Sequence, residues 1–257
     1  MLKGKKILIT GVSSGIGKAL TIKLVKNGNM VWGVARRKEL LLELSKSLQA
    51  ASNFFYSGMD VSEIDSWKRL ISFMSRKNFV PEIIIFSAAI NFNDLNPPIT
   101  TDLTRKMFEV NFFSILYGVE NLLKYVRLKT QFVLLSTAAA LKGSVREMGY
   151  SASKAAISNV FEGLYQKYQK KYLFKTVYLG PVATGMNPFR KSSLLTLSEK
   201  SAVEKIIAAV ESEKILFFYP KIIFLFMRII KLLPSGLYFR LLFFMEKTRF
   251  RLENEGK

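Results

Sequence analysis

The sequence predicts an α/β fold: helices on both faces of one doubly wound parallel sheet, forming a single domain with two amphipathic helices appended at its C-terminal end. Three features carry the prediction. An apolar run, Lys6 to Thr10, ends in a glycine-rich loop and passes at once into a helical pattern. Further runs of strand length recur, apolar throughout and separated by helical stretches; strands buried on both faces read this way. Finally, 257 residues suffice for one large domain with a substantial core, and neither a repeat nor a linker interrupts them.

Taken in order, Lys6-Ile7-Leu8-Ile9-Thr10 fits a buried parallel strand, Gly11-Val12-Ser13-Ser14-Gly15-Ile16-Gly17 a loop, and Lys18 to Lys26 a helix. Gly11 permits a tight turn, Gly15 lets backbone approach a pyrophosphate, and Gly17 lets helix and strand pack closely. The helix N-terminus adds N–H groups and a positive dipole end. Together these form a dinucleotide-binding unit whose residues are Gly11, Ser13, Ser14, Gly15, Ile16 and Gly17. Met30 to Ala35 is the second strand, followed by Arg36-Arg37. A carboxylate there suits the ribose 2′-hydroxyl of NAD, whereas arginine suits a 2′-phosphate. Two guanidiniums and no carboxylate favour NADP(H) over NAD(H); the plainer alternative is two solvated arginines at a helix start.

Lys38 to Leu48 is helical in period through Leu41, Leu44 and Leu48. Phe54-Phe55-Tyr56 reads as the third strand, and Ser62 to Arg76 as a helix with Ser62 at its N-cap. Pro81 to Phe86, Phe132 to Leu135, Thr176 to Leu179 and Ile215 to Tyr219 complete the strands, with a helix over Glu199 to Glu211 before the last. A further helical pattern opens near Tyr150. Tyr150 and Lys154, four residues apart, share one helix face. A free phenol titrates at about 10 and is a poor acid or base at neutral pH. A neighbouring ammonium favours the phenolate and lowers that value. Thr137, at the end of the fifth strand, offers a hydroxyl to hold a substrate oxygen beside the phenol. Alone, such a pair is an ordinary surface feature.

From Lys5 to Met186 these residues, in this order, resemble the classical short-chain dehydrogenase/reductase family, whose catalytic motif is Tyr-x-x-x-Lys and whose glycine loop is Gly-x-x-x-Gly-x-Gly. The resemblance implies a Rossmann-like fold and an NADP(H)-dependent oxidoreductase that interconverts a carbonyl and an alcohol. Tyr150 would be the general acid/base, and Lys154 would also hold the nicotinamide ribose. Asn111, within Glu109-Val110-Asn111-Phe112, corresponds to a helix-kinking asparagine that helps hold a water in a relay to the lysine. Thr137 falls at the usual catalytic serine position, with Ser136 the alternative if the strand end shifts by one residue. The resemblance also implies that Asp60 and Val61 lie beside the adenine, Ala88 on the cofactor path, and Val182 and Thr184 at the nicotinamide carboxamide. The chain departs from the pattern at Phe86-Ser87-Ala88-Ala89, where Asn-Asn-Ala-Gly is usual, and at Leu179-Gly180, where Pro-Gly is usual. Those departures favour a rival reading, a catalytically weak or inactive nucleotide-binding scaffold at a membrane surface.

Composition narrows the chemistry further. There are no cysteines and no histidines. Disulfides, thiolate nucleophiles, Ser-His-Asp triads and His-ligated metals are thereby excluded, and no metal site is expected. The formal charge of +20, from 39 Lys+Arg against 19 Asp+Glu, favours anionic partners. The basic residues are spread rather than clustered in an arm, so nucleic acid is not expected. Met1 to Lys6 leads straight into a strand without a signal peptide, which points to the cytoplasm.

The expected division is 1–214 for the nucleotide-binding domain and 215–257 for the last strand plus a helical extension. Lys221 to Leu233 and Leu237 to Arg251 flank a break at Pro234-Ser235-Gly236. Lys221, Arg228 and Lys231 share one stripe of the first helix, and Arg240, Lys247 and Arg251 one stripe of the second. Neither helix reaches the ~20 apolar residues needed to span a bilayer. A basic stripe opposite Phe, Leu and Ile suits a helix lying in a membrane interface. Residues 221–251 are therefore expected to meet a membrane surface, with a lipid-like substrate following from that; a homo-oligomer interface or a cap on the domain is the alternative. Asn187 to Thr196, polar throughout much of its length, is expected to cover the substrate.

Overall fold

A computed structural model of the chain describes residues 2–48, 52–92, 99–143, 145–183 and 196–255. Seven strands form one parallel sheet in the order β3-β2-β1-β4-β5-β6-β7. They are β1 (Lys6–Thr10), β2 (Met30–Ala35), β3 (Phe54–Gly58), β4 (Ile83–Phe86), β5 (Gln131–Thr137), β6 (Leu173–Leu179) and β7 (Leu216–Tyr219). The helices between them are α1 (Gly15–Lys26), α2 (Lys38–Ser47), α3 (Ile64–Arg76), α4 (Thr101–Phe108), α5 (Ser114–Leu122), α6 (Met148–Tyr168) and α7 (Glu199–Glu211). This is the Rossmann-like doubly wound sheet that the sequence predicts.

Strand alternation divides the core in two. Ile7 and Ile9 of β1 face one side, with Leu20 and Leu24 of α1, Leu41 and Leu44 of α2, and Ile206 of α7. Leu8 faces the other, with Trp67 and Leu70 of α3, Ile115 of α5, and Ile157 and Phe161 of α6. β1 pairs with β2 on one edge and β4 on the other, Ile7 opposite both Val31 and Ile83. The winding direction reverses at that point, and ligands of open α/β sheets bind in the crevice that the reversal leaves at the strand C-terminal ends.

One local feature departs from the sequence reading and a second lies outside it. Ser62 does not cap α3; Glu63 holds the N-cap position. Ser62 instead donates both its N–H (2.9 Å) and its hydroxyl (2.7 Å) to Asp60 Oδ1, closing an Asx-type turn one step earlier. The second feature is Lys175 on β6, a lysine only 1% exposed. Its ammonium donates to the carbonyls of Ala209, Val210 and Ser212, supplying donors to the C-terminal end of α7 where the helix has none of its own. Burial lowers its pKa.

The chain divides into two compact units, Met1–Pro220 and Lys221–Lys257. β7 pairs in parallel with β6 from Thr176↔Leu216 to Leu179↔Tyr219, so the last strand lies within the first unit rather than with the helices after it. The second unit consists of α8 (Lys221–Lys231) and α9 (Ser235–Glu255). Pro234 stands between them, and its carbonyl accepts from the N–H groups of Leu237 and Tyr238. Among the described residues, no helix is long and apolar enough to cross a membrane.

Candidate active site

The crevice begins with backbone. Gly11 has φ +79°, in the left-handed region, and a Cβ there would lie 2.7 Å from Ala88 Cα. A Cβ on Gly17 would collide with the Gly11 carbonyl. The two glycines thus let β1, the loop after β4 and the start of α1 converge. Thr10, which the sequence reading passed over, fastens the same place: its Oγ1 accepts from the N–H groups of Ser87 and Ala88, each at 3.2 Å. A short polar residue closing a strand next to a glycine was the available signal. Small residues at Ser87, Ala88 and Ala89 keep the backbone path open although the family's asparagines are missing.

α1 opens at Gly15, with φ +53°, after Ser14 in extended conformation, and its first turn carries no acidic residue. First-turn N–H groups lack acceptors within a helix, so this end favours an anion. At its rim the Arg37 guanidinium donates to Ser13 Oγ at 2.9 Å and Ser14 Oγ at 3.0 Å. Arg36 pairs with Asp60 at 3.5 Å, which turns a residue expected beside the adenine into a partner for the neighbouring arginine. Val61 is buried and its carbonyl accepts from Trp67 Nε1. The cradle fits a dinucleotide pyrophosphate, with Arg37 at its rim and Arg36 paired to Asp60 beside it.

The proton-transfer end is built on α6 and β5. Lys154 is 2% exposed, and its ammonium donates to the Leu135 carbonyl of β5 at 3.1 Å. Burial brings its pKa down to about 8. Tyr150 is half-buried, and its phenol is pushed above the ordinary tyrosine value, first by burial and then by the charge of Glu147. The sequence expectation was a phenol lowered by Lys154. Here burial, and after it the Glu147 charge, push the phenol the other way, while the Lys154 ammonium donates to the Leu135 carbonyl.

Asn111 lies in a π-helical turn, Glu109–Phe113, between α4 and α5, and is fully buried. The wider turn falls where the resemblance implied a kink. Asn111 Oδ1 accepts from the Ile90 N–H, while its Nδ2 donates to the Ile90 carbonyl and to Ser153 Oγ. Ser153 in turn donates to the Tyr150 carbonyl. Asn111 therefore pins the loop after β4 to the helix that carries Tyr150 and Lys154.

Thr137 ends β5, and its Oγ1 accepts from the Ala139 N–H, opening a 3-10 turn. Ser136, the alternative hydroxyl, is buried and 2.8 Å from Ser158 Oγ of α6. Strand alternation sends the two in opposite directions, and Ser136 faces packing. Val182 is buried and bridges Leu197. Thr184 and all but Thr196 of the stretch expected to cover the substrate lie outside the described residues.

Two residues that the sequence reading did not single out join the site. Glu147 occupies the N-cap position of α6, one turn before Tyr150, and accepts from Asn91 Nδ2 at 3.0 Å. Its spacing of three from the tyrosine was the only available signal.

The sequence model of the short chain dehydrogenase family matches residues 5–194. The chain belongs to this family. Short chain dehydrogenases are nicotinamide-dependent oxidoreductases, and relatives of this one are varied. It is 29% identical over 195 residues to an NADPH-dependent pterin aldehyde reductase of Arabidopsis thaliana, covering 73% of this chain and 75% of the relative. To human epidermal retinol dehydrogenase 2 it is 27% identical over 244 residues, 90% of this chain and 79% of the relative. Among solved structures it is similar to a short chain dehydrogenase from Burkholderia cenocepacia J2315 in complex with NADP. That match has a TM-score of 0.78 and 21% identity, and covers 93% of this chain and 98% of the other. At that identity the likeness speaks for the fold.

Proposed function

We propose that this short chain dehydrogenase interconverts a carbonyl and an alcohol with NADP(H), with Tyr150 as the general acid/base. The observation that carries the proposal is the buried Lys154 one helical turn from Tyr150, on a helix tied to the end of β5 and to the loop after β4. When bound, the nicotinamide cofactor supplies or accepts hydride. Gly11, Ser13, Ser14, Gly15, Ile16 and Gly17 would hold its pyrophosphate, Asp60, Val61 and Ala88 would line its path, and Val182 and, by the family resemblance, Thr184 would meet its carboxamide. Tyr150 donates a proton to the carbonyl oxygen during reduction, and its raised pKa keeps that proton in place at neutral pH. Thr137 orients the same oxygen. Lys154 holds the ribose and a positive charge beside the phenol, and Asn111 steadies a water relay behind it. The test is NADPH consumption by the purified chain across a panel of aldehydes and ketones. The scaffold reading, favoured by the substituted Asn-Asn-Ala-Gly positions, predicts no turnover with any of them.

Preference for NADP(H) rests on Arg36 and Arg37 at the end of β2, and an NADPH-dependent reductase among the relatives supports it. Arg37→Ala is expected to weaken NADPH binding by about 10–100-fold, the loss of one charge-assisted contact to phosphate, and to leave NADH binding much less affected. Arg36→Ala should act in the same direction and less strongly, because Asp60 already engages that guanidinium. Equal binding of both nucleotides by the parent would remove the assignment; calorimetric titration with each nucleotide reads it.

The 221–257 unit is proposed to bind an anionic membrane surface. Ile222, Leu225, Phe226, Ile229 and Leu232 of α8 and its end are exposed, Leu232 at 85%, and so are Leu237, Phe239, Phe243 and Phe244 of α9, Phe243 at 74%. No carboxylate occurs between Glu213 and Glu246, while Lys214, Lys221, Arg228, Lys231 and Arg240 do. Apolar side chains flanked by cations match an interface of acyl chains and anionic headgroups, each cation contributing about 1 kcal/mol. Sedimentation with phosphatidylglycerol vesicles should carry the protein down at low salt, and phosphatidylcholine vesicles much less. Leu232→Glu with Phe243→Glu should reduce the bound fraction at least about tenfold, since each buries a charge in place of an apolar contact. A parent chain that stays in the supernatant with every vesicle would end this reading, and with it the motive for a lipid-like substrate.

A further inference from the structure

We infer that Glu147 and Asn91 form a donor-reading subsite, which selects carbonyl substrates bearing a hydroxyl or amino group on the carbon next to the reacting one. The inference rests on the assignment of Tyr150 as the proton-transfer group and adds what lies on its far side. Lys154 follows the phenol by one turn of α6 and Glu147 precedes it by one turn, on the same face. A carbonyl held at Tyr150, with the cofactor on the lysine side, therefore extends its other substituent towards Glu147.

What waits there is a surplus of acceptors. An ionised carboxylate only accepts hydrogen bonds, and among the described residues Glu147 receives one on its side chain, from Asn91 Nδ2 at 3.0 Å. The amide oxygen of Asn91 is buried and has no partner. Thr104 Oγ1, a hydroxyl that can donate as well as accept, is also buried and without a partner, 3.2 Å from where a Cβ on Gly149 would stand. Among the described residues, buried side-chain polar atoms without a partner are Asn91 Oδ1, Thr104 Oγ1 and Gln131 Oε1. Two of them border the first turn of α6. Buried polar atoms without partners are unfavourable unless something arrives to satisfy them, and of these two Asn91 Oδ1 can be satisfied only by a donor.

The position of Asn91 is also fixed. Its neighbour Ile90 is held through both backbone groups by Asn111, so the amide is presented by a clamped loop. The rigid acceptors Glu147 and Asn91 Oδ1 call for a donor: a hydroxyl meets one or both, and an ammonium adds charge attraction to the carboxylate. A plain alkyl group in the same place would leave both acceptors dry and unpaired. Sites built to hydrogen-bond a substrate group discriminate strongly against the analogue that lacks it.

The experiment uses matched pairs with the full chain and NADPH: hydroxyacetone against butanone, and 1-hydroxydecan-2-one against undecan-3-one. The hydroxy member should have the higher kcat/KM by about tenfold or more in both pairs. Asn91→Leu and Glu147→Gln should each bring that ratio towards one by lowering the hydroxy ketone more than the plain ketone, with NADPH affinity reporting that each variant is folded. Turnover of both members at equal kcat/KM in the parent overturns the subsite and spares the Tyr150 assignment. A preference that neither variant moves also overturns it. No turnover of any ketone or aldehyde overturns both readings together.

Discussion

Replacing Tyr150 with phenylalanine is expected to lower kcat for carbonyl reduction by about 10²–10⁴-fold, the range for loss of a positioned general acid. NADPH binding should hold within about threefold, because the ring stays and only the hydroxyl leaves. That hydroxyl engages the carbonyl oxygen most strongly while the proton moves, so kcat and kcat/KM should fall together. The pH profile of the parent supplies an independent reading. Burial and the Glu147 charge hold the phenol above its ordinary value, so it keeps its proton through neutral pH. Lys154, brought down to about 8 by burial, is charged below that pH and loses its charge as pH rises through it. Reduction should therefore be level in the neutral range and decline above about 8, where the cation beside the phenol disappears. Steady-state loss of NADPH absorbance measures both effects. A phenylalanine variant as active as the parent would hand the case to the scaffold reading.

The residues of this site differ in how far the sequence alone could reach them, and the difference is one of range. β1, the glycine loop and α1 are contiguous, each identified by local pattern, and the structure assembles them as adjacent elements. β2 was legible to the residue, because an apolar run bounded by Asn29 and Arg36 leaves little choice of ends. Ser62 misled because serine before a helix is an N-cap by propensity, while a carboxylate two residues earlier competed for both its donors. Lys175 was invisible: a lysine in a strand pattern suggests solvent, and only the fold brings the end of α7 to it. Asn91 and Glu147 are 56 residues apart, and no periodicity connects them. The tyrosine–lysine spacing was plain in the sequence, but the direction in which the phenol's pKa moves depends on burial and on Glu147, which spacing does not reveal.

Gly17→Val should weaken NADPH binding by at least about tenfold and lower the melting temperature, while Gly163→Ala, on the same fold, should raise it. At Gly17 a Cβ meets the Gly11 carbonyl, and that carbonyl has nowhere to move. The Gly11 N–H is bonded to the Val34 carbonyl at 2.7 Å, and a Cβ on Gly11 would itself press on Ala88, whose N–H is tied to Thr10. The strain must therefore displace the start of α1, taking its first-turn N–H groups away from the pyrophosphate position. The helix resists, because it packs against α7 and buries Leu20 and Leu24 in the core. Overpacking of this kind costs about 1–3 kcal/mol, which corresponds to several degrees in a chain of this size. Gly163 is exposed on α6 with nothing within 4 Å of its would-be Cβ. Alanine there removes freedom from the unfolded chain and improves helix propensity, a gain of roughly 0.5–1 kcal/mol. Thermal melts with and without NADPH separate the two effects. If Gly17→Val melts like the parent and still gains stability from NADPH, the loop is an ordinary turn, and the crevice at the β1–β4 crossover does not hold the cofactor's phosphates.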